Sequence, residues 1–478
     1  MSDSTDGLGG AVADGPTLGQ TLVPVAGIVA FLGVGSGYLG LAPHAPLLWS
    51  IALTGLVGRY WMGLSWEDLR GGVVDALTTG MNALLILFVI YALIATWVSA
   101  GTIPGLMYHG LGVLTPEVFL PATAVLAAAV AFAVGSSWTT AGTLGVAFIG
   151  IGAGLGVPAP MTAGAVLSGA YAGDKQSPLS DTTNLAAAVT DTDLYDHIRG
   201  MRPGTLLAFG LAVGLYAWLG LRADGAIPGG RVEEIRGALA GAYDLSALVA
   251  LPLVVTFGLA LRGRPALPTL GAGVFAGAAT TVFVQGRSFV DAWEVFLGGT
   301  APATGVDLVD GLLASGGLAG SAWTVSVVVA ALSLGGLLEA TGVLRELARR
   351  LSALVWSEGS LVAGTGVAAF ATNFFSAQQY MSIVVPGMTL GEVFAEYDLD
   401  SRELSRAVEA VGTPTGAVLP WHAGGVYMAT VFGVPTLEYA PYYFFAVLSP
   451  AVLFAMAATG LGVGATTDAT GGVAPADD

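Results

Sequence analysis

Apolar runs of about 20 residues, separated by short polar or Gly- and Pro-containing links, recur along nearly the whole chain. Thr79–Ala100, TGMNALLILFVIYALIATWVSA, is one, and Val118 to Gly173 contains no Asp, Glu, Lys or Arg. A helix needs about 20 mostly apolar residues to cross the hydrocarbon core of a bilayer. The pattern therefore predicts an all-α polytopic membrane protein with roughly 10–13 helical passes.

Two of these runs are interrupted in a way that repeats. The helix-like stretch Pro160–Gly173 gives way to Asp174, Lys175, Gln176, Ser177, Pro178, Ser180 and Asp181, and then to a half-length helix over Thr182–Thr190. A second polar break occurs around Thr413, Pro414, Thr415, Pro420 and His422. Comparing the chain with itself places GDKQSPLSDTTNLAAAVT (173–190) against GTPTGAVLPWHAGGVYMAT (412–430). GSSWTTAG (135–142) lies against TNFFSAQQ (372–379), and LIATWVSAGTIP (93–104) against LGGLLEATGVL (334–344). Backbone groups freed at such breaks are tolerated inside a membrane only where they face protein or line a cavity. Matching interrupted segments in two halves are the sequence signature of a transporter site at the bilayer midplane.

This organisation divides the chain into an acidic, disordered N-terminus (1–20), N-terminal transmembrane helices (21–78) and a first transport repeat (79–190). Connecting loops and helices (191–320), a second transport repeat (321–430), a C-terminal transmembrane helix (431–463) and an acidic, disordered tail (464–478) follow. Pro178, Pro414 and Pro420 are the expected helix breakers.

Composition supports the membrane reading. Hydrophobic residues make up 54%, charged residues 10%, and the mean hydropathy is +0.76, whereas a soluble domain carries about a quarter charged residues. The net charge of −17 and the near absence of lysine fit a protein solvated in high salt, as in a halophilic prokaryote. With no cysteine, disulfides and Cys-ligated metals are excluded. There is no nucleotide loop, no metal-binding His pair and no Ser-His-Asp arrangement, so an enzyme is not expected, and neither are a cofactor nor a nucleic-acid partner. Arginines occur in loops along the whole chain and leave membrane orientation open.

An ionisable group at membrane depth costs several kcal/mol and is a functional hypothesis by default. Asp174 and Asp181 flank Pro178, so a folded-back tip can bring the two carboxylates together. A carboxylate in a low-dielectric site binds a proton more readily than one in water. Once deprotonated, it is a hard oxygen ligand for a small cation, here with Ser180, Thr182, Thr183, Asn184 and freed carbonyls. Competition between a proton and a cation for one carboxylate suffices to couple their movements. Lys175, the sole lysine of the chain, would offset one negative charge. The second half offers Asn373, Ser376, Gln378 and Gln379 in the uncharged run 359–391, with Glu339 and Glu409 as further buried-acid candidates. His422 can titrate near neutral pH, and Ser136, Ser137 and Thr139 can add hydroxyls.

These stretches resemble the NhaC-type Na+/H+ antiporters of the ion transporter superfamily. The resemblance covers roughly residues 83–450 and rests most specifically on GDKQSPLSDTTN, with YMSIVVPG and LSRAVEAVGTPTGAVLPWHAGGVYMATVFGVP alongside. It implies two inverted-topology repeats, a homodimer in the cell membrane, and alternating access exchanging Na+ for H+, with Na+ held at Asp181, Asp174, Thr182 and Asn373. Tyr380 matches the second-half motif. The chain departs from the family pattern at Gln378, where many members have Asp, and at His422, where Asn is usual. The family also includes exchangers of small organic anions such as lactate and malate, so exchange of an organic anion or an amino acid is the alternative, with Lys175 and His422 as substrate ligands.

Overall fold

The computed structural model describes residues 15–222, 230–352 and 356–460. The expected acidic tail at 464–478, and residues 1–14 of the expected disordered N-terminus, lie outside those residues. Within them the chain is helical, and its one β feature is an isolated bridge between Thr300 and Ser315.

The first helix, α1 (Leu18–Leu32), starts on a capping box in which Thr17 and Gln20 satisfy each other's backbone N–H groups. That cap begins the first span three residues ahead of Thr21, where the apolar run itself starts. α2 (His44–Leu56) and α3 (Trp66–Ser99) follow; at 34 residues, α3 is about 51 Å long, more than a bilayer core needs. α4 (Thr102–Val113) and α5 (Pro116–Val134) lead into the first interrupted region. There α6 (Ser137–Thr140) runs through a π-turn at Ala141–Gly145 into α7 (Val146–Gly154), and α8 (Ala159–Asp174) is separated from α9 (Asp181–Val189).

The connecting region holds α10 (Leu194–Leu221), α11 (Arg231–Ala242), α12 (Leu251–Ala260), α13 (Ala266–Phe283), α14 (Phe289–Gly298) and α15 (Asp307–Leu313). The second half comprises α16 (Ala322–Ala340), α17 (Val343–Ser352), α18 (Glu358–Ser376), α19 (Gln379–Glu396), α20 (Ser401–Thr415) and α21 (Ala423–Phe432). The short α22 (Thr436–Tyr439) and α23 (Phe444–Thr459) close the described chain. Where a single C-terminal span is expected, Thr436–Tyr442 and Phe444–Thr459 meet at a 53° bend.

Among the described residues six helices are long and apolar enough to cross a membrane, or up to eight if two bent pairs each count as one span. Interrupted elements account for the larger number expected from apolar runs: α8 has 16 residues and α9 only nine, so neither spans alone.

The internal repeat is present in the backbone. α5 and α18 both end on a left-handed residue, Gly135 (φ 68°) and Ala377 (φ 55°). Ser136 and Gln378 are the next N-cap residues, and Ser180 and His422 cap α9 and α21. Each pair stands 242 residues apart (135 to 377, 136 to 378, 180 to 422). Close approach of α8 to α5 depends on Gly169 and Gly173, where an added Cβ would lie 2.0 and 2.1 Å from the carbonyl oxygens of Ala124 and Ala128. Small residues four apart let two membrane helices touch backbone to backbone, and this contact fixes the position of the next residue, Asp174.

Candidate functional site

Four helix starts, at Ser137, Asp181, Gln379 and Ala423, converge on one cavity of about 340 Å³. Asp174, the last residue of α8, is 3% exposed. Its Oδ2 accepts from the Ser137 N–H at 3.1 Å, while Oδ1 has no hydrogen-bond partner. Asp181, the first residue of α9, accepts from the Thr182 N–H at 2.9 Å and from the Tyr380 hydroxyl at 2.5 Å. Helix N-termini carry partial positive charge, so these starts favour negative groups. Neither aspartate takes part in an ion pair among the described residues. Nε2 of Gln378, Oε1 of Gln379 and Oγ1 of Thr139 are also buried and without a hydrogen-bond partner beside the cavity.

The turn that presents the carboxylates is built by its own polar residues. Pro178 has no N–H to continue a helix. The Ser177 hydroxyl accepts from Leu179 N, and the Ser180 hydroxyl from Thr183 N. Asn184 donates to the carbonyls of Pro178 and Ser180 at 3.0 and 2.7 Å. It therefore clamps the turn and does not line the cavity, whereas Thr182 does.

Behind the cavity lies a second polar cluster. The Glu409 carboxylate accepts from Thr183 Oγ1 at 2.9 Å and pairs with Nε2 of His197, both side chains being fully buried. His197 Nδ1 meets the Ser405 hydroxyl at 2.8 Å. Thr182, at 3.5 Å from Glu409, links the cluster to the turn. A lone histidine in DLYDHIRGMRP has no sequence signal for this role; its partner lies 212 residues away.

Lys175 forms neither a hydrogen bond nor an ion pair with either aspartate among the described residues. Its ammonium donates to the Ala410 carbonyl at 3.2 Å and to the Ser449 hydroxyl at 3.3 Å, and lies 5.2 Å from the centre of the Phe445 ring. The expected helix break at Pro414 is corrected here: α20 runs through Pro414 to Thr415, and the chain leaves helical form only after Gly416–Val418, next to Pro420. Pro414 instead removes the N–H that would bond Ala410, and Lys175 and Ser449 take up the vacant carbonyl.

Asn373 donates to the Gly412 carbonyl and to Thr415 Oγ1, and its Oδ1 faces His422 Nε2 at 3.0 Å. Because His422 Nδ1 accepts from the Gly424 N–H at 2.9 Å, the ring proton sits on Nε2 and donates to Asn373. Of the four residues expected around Na+, Asp174, Asp181 and Thr182 line the cavity and Asn373 does not. Ser180 and Glu409 lie behind it. Gln378 and His422 are on its wall, and Glu339 is exposed at the end of α16, outside the lining. Arg264, in the α12–α13 turn, is in the lining; as one loop arginine among several, it carried no sequence signal.

Carboxylates held at the broken ends of paired, repeated helices, within an all-helical bundle of membrane-spanning length, are the architecture of a secondary transporter. Family comparison agrees: the chain belongs to the Na+/H+ antiporter family, whose model matches residues 17–183 and 169–461, and it is a multi-pass protein of the cell membrane. It is 53% identical to the arginine/ornithine antiporter ArcD of Halobacterium salinarum, over 93% of this chain and 92% of that one. It is 35% identical to the Na(+)/H(+) antiporter NhaC of Alkalihalophilus pseudofirmus, over 94% and 97%. Identity to the malate-2H(+)/Na(+)-lactate antiporter of Bacillus subtilis is 34%, over 89% and 91%.

Proposed function

We propose that this antiporter exchanges basic amino acids of the arginine and ornithine class across the cell membrane. The observation behind this reading is the charge pattern of the cavity: two carboxylates, Asp174 and Asp181, and one guanidinium, Arg264, in one lining. A basic amino acid carries the complement, two cationic groups and one carboxylate. Asp174 and Asp181 would take the α-ammonium and the side-chain cation, and Arg264 with the Gln378 amide would take the carboxylate. Trp138 and Tyr380, also in the lining, offer ring faces to a guanidinium or an aliphatic stem. A volume of about 340 Å³ falls within the range of small-molecule sites, about 300–1,000 Å³. The 53% identity to an arginine/ornithine antiporter supports the same cargo.

Exchange of Na+ for H+ is the second reading. It is favoured by the hydroxyl-bearing residues Thr182 and Tyr380, which share the cavity lining with Asp181, and by the relative named as NhaC. There the same carboxylates bind proton and cation in competition. The homodimer implied by the family resemblance is part of either proposal, and mass measurement in detergent micelles checks it.

The deciding experiment uses proteoliposomes loaded with ornithine and given labelled arginine outside, beside vesicles holding a trapped pH dye and given a Na+ gradient alone. Ornithine-dependent arginine uptake that Asp181→Asn abolishes supports the first reading. Na+-driven proton movement without any amino acid exchange overturns it in favour of the second.

A further inference from the structure

A second cavity, of about 360 Å³, lies in line with the first. Three elements pass from one to the other in the same order. Along α3, Asn82 and Ile86 face the first cavity, and Ile90 to Val98 the second. In the α6–α7 element, Ser137 and Thr139 precede Val146 and Ile149. Along α21, Ala423 precedes Thr430. From Asn82 to Val98 the α3 axis advances about 24 Å, most of the roughly 30 Å thickness of a bilayer core.

The rims lie on opposite sides of α13. The first cavity is bounded by Gly263, Arg264 and Pro265, immediately before that helix, and by its first turn, and the second by Gly311, Leu312 and Ala314–Gly316, in the connection after it. α13 is long and apolar enough to cross once. α14 and α15, at ten and seven residues, are too short to cross back.

Between the cavities stands one stack. The Trp138 and Tyr427 rings lie 4.4 Å apart and within 13° of parallel, and the Tyr427 hydroxyl donates to the Trp138 carbonyl at 2.7 Å. Gly142 packs against the stack, where an added Cβ would lie 2.4 Å from the Tyr427 hydroxyl and 2.5 Å from Ile90. Trp138 belongs to the first repeat and Tyr427 to the second. Any shift of one repeat against the other therefore parts them.

We infer that the second cavity is the opposite half of the translocation route, and that the Trp138–Tyr427 stack is the gate closing it from the cargo site. This rests on the transporter reading and not on the choice of cargo. The second cavity has no charged residue in its lining, so it is a passage, and the aspartate cavity is the only one of the two with charged groups to hold a cation. Tyr91, Thr324 and Thr430 form a hydroxyl chain along its wall, with contacts of 2.6 and 2.9 Å.

The chain has no cysteine, so single cysteines report access directly. Asn82→Cys and Thr430→Cys are reconstituted in vesicles of one orientation, and a membrane-impermeant maleimide is supplied from either face. The expected result is labelling of Asn82→Cys from one face and of Thr430→Cys from the other. Each should exceed labelling from the wrong face by about tenfold or more, because the alternative conformer is a minor population. Adding Trp138→Ala should expose each cysteine to both faces. Tyr427→Phe, which loses only the hydrogen bond, should do so in part and serves if Trp138→Ala does not fold. Labelling of both cysteines from one face, no labelling of Thr430→Cys during active exchange, or a seal unchanged in a folded gate variant would each overturn the inference. None of these depends on which substrate moves, so a failed gate and a failed cargo assignment are told apart.

Discussion

Tyr380 of the second repeat donates its hydroxyl to the carboxylate of Asp181 in the first, at 2.5 Å. The bond crosses the boundary between the repeats and aims one carboxylate into the cavity from outside its own turn. A hydrogen bond to a charged group is worth about 1.5–3 kcal/mol. Tyr380→Phe is therefore expected to raise the KM for the cationic cargo about 10- to 100-fold, and to lower thermal stability by up to about 3 kcal/mol. Uptake kinetics in proteoliposomes test this; an unchanged KM would show that Asp181 is held without the phenol.

Pro414→Ala should make the protein more stable and less active. Proline inside a helix is about 3 kcal/mol less favourable than alanine, and alanine restores the N–H that bonds the Ala410 carbonyl. That N–H then competes with Lys175 for its acceptor. Melting temperature in detergent and exchange rate are expected to move in opposite directions. Lys175→Arg puts a planar fork into a fully buried site shaped for a compact ammonium, and loss of exchange is expected there as well.

Arg264→Gln separates the two cargo readings. If Arg264 meets a substrate carboxylate, the KM for arginine rises about tenfold, as for loss of one charge-assisted bond, while any proton movement driven by Na+ alone stays at the wild-type rate. Equal effects on both would show Arg264 to act through its field alone.

His422→Asn tests whether the imidazole carries protons. Both ring nitrogens are engaged by neutral partners, Gly424 and Asn373. Asparagine can still cap α21 but leaves Asn373 Oδ1 without its donor. The expected outcome is a stability loss of about 1–3 kcal/mol and an unaltered pH profile of transport. A shifted profile would make His422 a proton carrier.

What could be read from the chain followed from local rules. The break at Pro178 was legible because proline has no N–H and because Ser177, Ser180 and Asn184 are the residue types that satisfy a turn. Pro414 obeys the same rule yet does not break its helix, since the carbonyl it frees is satisfied by Lys175 and Ser449, which are distant in sequence. The His197–Glu409 pair, the Trp138–Tyr427 stack and the place of Arg264 depend on which helices meet, and no spacing encodes that. Lys175 was legible as an oddity, but the direction of its side chain was not.

The 242-residue correspondence also shows what the two halves no longer share. Asp174 and Asp181 stand opposite Gly416 and Ala423, and Lys175 opposite Ala417, while Ser180 is matched by His422. Duplication would have left two equivalent binding surfaces; here one copy keeps both acids and the other supplies amides, a phenol and a ring. A chimera of two first halves would crowd four carboxylates into one cavity, and one of two second halves would leave none. The two halves are thus no longer interchangeable: the likeness survives in the backbone, and the difference lies in the side chains each brings to the cavity.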